Sequence, residues 1–81
     1  MLSREDLRTT IEARSQAEAA KEAVSRLSIP LRSVFVLSVY EEMSYEEIAA
    51  TLEISSGTVA SRKHQALEVL RRKLRAWQET Q

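Results

Sequence analysis

The stretch Ile54 to Gln65, ISSGTVASRKHQ, holds the chain's only glycine, its only histidine and an adjacent Arg–Lys pair. Hydroxyls, backbone N–H groups and cations of this kind bond phosphates and base edges. They do not form a catalytic set. No nucleophile–base pair, no pair of acid–base carboxylates and no phosphate-cradling glycine loop is recognisable in the 81 residues, so catalysis is excluded. With no cysteine and no second histidine, no metal site and no cofactor are expected.

The formal net charge is zero, yet the charges are unevenly spread. From Pro30 to Ser56 the only base is Arg32, against Glu41, Glu42, Glu46, Glu47 and Glu53. From Gly57 onward stand Arg62, Lys63, Arg71, Arg72, Lys73 and Arg75, against Glu68 and Glu79. One face can therefore meet phosphates while another meets a protein. The opening MLSREDLRTT carries charges where a secretion signal needs apolar residues, and no apolar run approaches the ~20 residues that span a bilayer. A soluble cytoplasmic protein is the expectation.

Which elements position the basic stretch? One Gly and one Pro, with Ala, Glu, Arg and Leu abundant, predict an all-α fold. Residues ~5–26 read as a helix with a thin apolar stripe (Leu7, Ile11, Ala20, Val24, Leu27), suited to a partly exposed linker. In SIPLRSVFVLSVYEE, Ser28 is a candidate cap and Pro30 suits a first helical turn. Leu31, Val34, Phe35, Leu37 and Val39 make this the central core helix; its β-branched run has no second strand to pair with. SYEEIAATL begins with a capping box, Ser44 to Glu47, and sets Tyr45, Ile48, Ala49 and Leu52 on one face.

The last helix runs from about Ser56 to Trp77, with Ser55 as its candidate cap. At 100° per residue, Val59, Lys63, Ala66, Leu67, Leu70, Leu74 and Trp77 share one side. Thr58, Ser61, Gln65, Glu68 and Arg72 face the other way, flanked by Arg62 and His64. Two helices joined by a short turn make a helix-turn-helix, whose second helix enters the major groove by its N-terminus. Ser56 and Gly57 open that helix. A missing Cβ at Gly57 allows close approach to DNA and to the preceding helix; the alternative is a steric convenience of the turn.

With these residues placed, the chain resembles region 4 of bacterial sigma factors, the extracytoplasmic-function (ECF) group in particular. The resemblance runs from Leu27 to Leu74, LSIPLRSVFVLSVYEEMSYEEIAATLEISSGTVASRKHQALEVLRRKL, with two residues inserted in the Leu-Pro entry. Its specific part is SYEEIA followed at this spacing by GTVASR. It implies an all-α, four-helix architecture: a linker or packing helix at 1–27, then a helix-turn-helix domain at 28–77 made of the core helix and the helix-turn-helix pair, and a tail at 78–81. It also implies recognition of a −35 promoter element, docking on the β flap of RNA polymerase core, and capture by an anti-sigma factor. The family's DNA-facing positions map to Thr58, Ala60, Ser61, Arg62, His64 and Gln65. Arg62 and Ser61 match the pattern; Ala60 stands where many members carry Lys or Arg. Gln65 replaces a frequent Arg and favours adenine over guanine. Lys63 replaces an apolar residue, its stem packing while the ammonium reaches the phosphates.

Several residues keep a plainer reading. His64 is a solvated surface residue or a DNA contact, and Trp77 closes the end of the core rather than stacking on a base. Arg71 to Arg75 track phosphates or supply the cationic end of a helix. The glutamates of the middle are a solvated face or a patch for a basic partner. Nothing resembles the second domain a whole ECF factor needs, so the chain reads either as a C-terminal fragment or as a protein that does not melt DNA by itself; a monomer is expected. The alternatives are a sigma-like interaction module or mimic without DNA binding and, after it, a dimeric repressor.

Overall fold

In the computed structural model, residues 4–79 are described, with side chains from Ser15 onward. Four α-helices follow one another: α1 (Arg4–Ser25), α2 (Ile29–Phe35), α3 (Tyr45–Leu52) and α4 (Ser56–Glu79). A π-helical turn, Val36–Tyr40, continues α2. No strand occurs among the described residues, as the composition predicts. None of the helices is long and apolar enough to cross a membrane.

Two apolar clusters hold these helices together, and α4 runs through both. Ala23, Val24 and Leu27 from α1 and its exit meet Phe35 of α2 and Ala66 and Leu70 of α4 in the first. In the second, Val34 of α2, Ile48 of α3 and Val59 of α4 are fully excluded from solvent, edged by Leu37, Met43, Ala49, Leu52 and Ile54. Val34, Ile48 and Val59 thus fix the angle at which α3 presents the start of α4. The end of α1 packs into the core: Ala23 and Val24 are buried. The side chains of Leu7 and Ile11 lie outside the described residues.

Local chemistry sets the helix ends. The Ser44 hydroxyl accepts from the Glu47 N–H at 3.1 Å, and the Glu47 carboxylate accepts from the Ser44 N–H at 3.0 Å. This is the expected capping box, and the Ser44 N–H, with the Ser44 hydroxyl beside it, holds the Glu47 carboxyl below the usual carboxylate range. Ser28 behaves differently from expectation. Its side chain makes no capping bond; its carbonyl accepts the Arg32 N–H at 2.8 Å, with Pro30 in the first turn. The Arg32 guanidinium instead closes the end of α1, donating to the Ser25 carbonyl at 2.9 Å.

Val39 is a second correction: it is 43% exposed rather than part of the core face. In the π turn, the Glu41 N–H reaches back to Val36 and the Met43 N–H to Leu37. More residues per turn rotate the positions after Leu37 off the 3.6-residue stripe. Tyr40 then packs edge-on against Phe35, ring centroids 6.0 Å apart.

Candidate nucleic-acid interface

Ser55 organises the start of α4. Its hydroxyl accepts from the Thr58 N–H at 3.0 Å and shares a hydrogen bond with the Thr58 hydroxyl at 2.8 Å. Ser55 is therefore the N-cap. Thr58 is half-buried, its hydroxyl tied into the cap. Ser56 and Gly57 occupy the first turn, whose N–H groups have no carbonyl within the helix to bond.

Buried Val59 and Ala66 bracket the rest of the stretch and orient it. Ser56, Gly57, Ala60, Ser61, His64 and Gln65 are exposed, whereas Arg62 and Lys63 are half-buried on opposite flanks of Val59. The structure thus gathers the nine sequence-predicted positions on the first turns of one helix, around a single buried anchor. Among the described residues, the ion pairs are Arg26–Glu22 at 2.7 Å and Arg71–Glu68 at 3.2 Å. No carboxylate among the described residues therefore lies within ion-pair reach of Arg62, Lys63, Arg72, Lys73 or Arg75. No group of three metal-ligating residues comes together among the described residues.

Three expectations change here, and Lys63 gains a partner. Gly57 keeps no positive φ, and a Cβ built on it meets only the Ser55 hydroxyl oxygen, at an ordinary 3.8 Å. The fold leaves room for a side chain, so no close approach to the preceding helix calls for glycine. Lys63 is half-buried, as its helical position implies, and its ammonium lies over the Tyr45 ring, 5.4 Å from the centroid. Tyr45 itself is 37% exposed and leaves the buried face of α3 to Ile48. Its pairing with Lys63 escaped the sequence reading. The available signal was a lysine at a core position of α4 facing an aromatic at the first position of α3. Finally, Arg71 to Arg75 are not the cationic end of a helix. α4 continues to Glu79 and its last turn holds no base, and the dipole acts only there.

Trp77 lies half-buried on a groove of about 450 Å³ between α1 and α4, beside Ala19, Ala23 and Leu74. Nineteen residues of helix after Thr58 place it ~28 Å away along the axis, far from the polar start of α4.

With this geometry described, comparison with known proteins identifies the fold. Residues 17–70 match the family model described as Sigma-70, region 4, a match that begins within α1. The chain is 49% identical over 53 residues to an RNA polymerase sigma-E factor of Streptomyces antibioticus, covering 65% of this chain and 29% of the relative. It is 56% identical over 43 residues to an RNA polymerase sigma-E factor of Streptomyces coelicolor, covering 53% of this chain and 24% of the relative. The matched stretch covers only 24% to 29% of the length of these relatives. The matched family is a non-enzymatic one, in keeping with the missing catalytic set. The helix-turn-helix read from SYEEIA and GTVASR is that of the sigma-70 region 4 family, in its ECF branch, and this chain belongs to it.

Proposed function

We propose that this domain recognises a −35 promoter element and docks on RNA polymerase core, serving transcription initiation as the DNA-reading module of an ECF-type sigma factor. The observation that carries the proposal is the start of α4: exposed small polar residues, with Arg62 outside ion-pair reach of any carboxylate among the described residues. A helix end of this shape fits the major groove, with Ser61, Arg62, His64 and Gln65 toward base edges and Ser56 and Gly57 toward phosphate. The exposed Val39 and Tyr40, beside Glu41 and Glu42, suit a protein contact away from the reading end.

A second reading is an interaction module, gripped by an anti-sigma factor, that does not bind DNA. Ala60 and Gln65 favour it, because they leave Arg62 and Lys63 as the only permanent cations in the first turns of α4. Fluorescence anisotropy against a duplex carrying an ECF-type −35 element and a scrambled control, over a salt series, separates the two. Preference for the element with a steep salt slope supports promoter reading; no binding even at low salt supports the interaction module. If Arg62 reads a base, Arg62→Ala should cost ~1–3 kcal/mol on the element and relax specificity. If Arg62 touches only phosphate, both duplexes should weaken alike.

A further inference from the structure

We infer that Tyr45 is a positioning residue that holds the Lys63 ammonium on the DNA backbone where α3 crosses it. The inference rests on the promoter-reading proposal above and names a phosphate contact within it. Lys63 leaves α4 half-buried, on one flank of buried Val59. It is stabilised by the Tyr45 ring face, 5.4 Å away, and by no carboxylate among the described residues. That difference matters. A carboxylate partner would cancel the charge, whereas a π face attracts the cation and leaves its full charge for an external anion.

Glu46 and Glu47, which follow Tyr45, make no ion pair with Lys63. Glu47 is turned back onto the Ser44 N–H by the capping box, at 3.0 Å. Tyr45 is the first residue of α3, directly after that cap, and is 37% exposed. In a helix-turn-helix the first helix crosses the sugar-phosphate backbone while the second enters the groove. The Lys63–Tyr45 pair bridges these two helices and puts a fixed cation at the start of the first. Such a contact sets register and carries no sequence information.

Anisotropy of the chain on the −35 duplex and on the scrambled duplex, over a salt series, tests this. Lys63→Met should lower the salt slope by about 0.9 and weaken both duplexes equally, by roughly five- to tenfold near 0.1 M salt. Tyr45→Ala should lower the slope in the same direction, Tyr45→Phe should restore it, and the double variant should lose nothing beyond Lys63→Met. Circular dichroism checks folding, with Lys63→Gln and Tyr45→Leu replacing any variant that does not fold. An unchanged slope in Lys63→Met, additive losses in the double variant, or a loss confined to the −35 duplex overturns the inference. A wild-type chain that binds both duplexes equally overturns promoter reading but not the phosphate contact. A wild-type chain that binds neither overturns both.

Discussion

Gly57 keeps an ordinary helical backbone, whereas Glu42 and Glu53 hold φ of 53° and 57°, the region where glycine is least strained. Each glutamate there costs ~1–2 kcal/mol relative to an unstrained residue. Glu53 takes that conformation as the C-cap of α3, where the Ala49 carbonyl accepts both its N–H and that of Ile54. The chain's single glycine is thus placed where the fold does not require it. Gly57→Ala should raise the thermal midpoint, because alanine gains up to ~1 kcal/mol over glycine in a helix, somewhat less in a first turn. If DNA uses the missing Cβ, the same variant should bind both duplexes more weakly. Thermal denaturation and anisotropy on one sample check the pair of outcomes. A lower midpoint would mean that the turn itself needs glycine.

Among the elements, α3 depends most on its cap, since its eight residues are too few to stand alone. Ser44→Ala should destabilise the domain by ~1 kcal/mol, read by chemical denaturation. Protonation should act in the same direction. Glu47's carboxyl lies below its usual range in the folded state, because the Ser44 N–H and hydroxyl bond it. Its contribution is therefore fully present above the ordinary carboxylate pKa of about 4.3 and is lost as pH falls through the lowered value. A denaturation series from pH 6 to pH 2 should show that loss in the wild type and a smaller one in Ser44→Ala. The capping box was legible in SYEE because both partners lie three residues apart. The π turn was not, because nothing local in VLSVY departs from helical spacing. The Arg32 bond to Ser25 and the Lys63–Tyr45 pair were hidden for another reason: each depends on how two helices cross. Within the candidate site, exposure followed the helical period: Ser61 and Gln65 are exposed and Lys63 is half-buried, as projected, and only the partner of its ammonium was hidden.

The whole molecule is a thin slab, 51 × 27 × 15 Å, with a radius of gyration of 15.9 Å. A compact chain of this length would have a radius nearer ~12 Å. Its surface of 6200 Å² also exceeds the ~4,900 Å² expected for its mass. The small core is spread along α4 rather than gathered at one point, so the two clusters share one structural member. Ile48→Ala, which hollows the second cluster, should cost ~2–5 kcal/mol, much of the stability of a domain this size. Trp77 lies at the other end of α4 and should report the same shifted transition as far-UV circular dichroism. A Trp77 fluorescence transition left unshifted would mean the two clusters unfold independently.

The side of α4 that holds the fold and the side left to solvent share almost no residues. Val59, Ala66 and Leu70 are buried, while Ala60, Ser61, His64 and Gln65 are exposed and none of them makes an ion pair among the described residues. Surface substitutions of this kind usually change stability by no more than about 0.5 kcal/mol. The four positions form an editable alphabet on a fixed spine. Mutation can rewrite what this end of the helix meets one residue at a time, and selection need not repair the scaffold after each change.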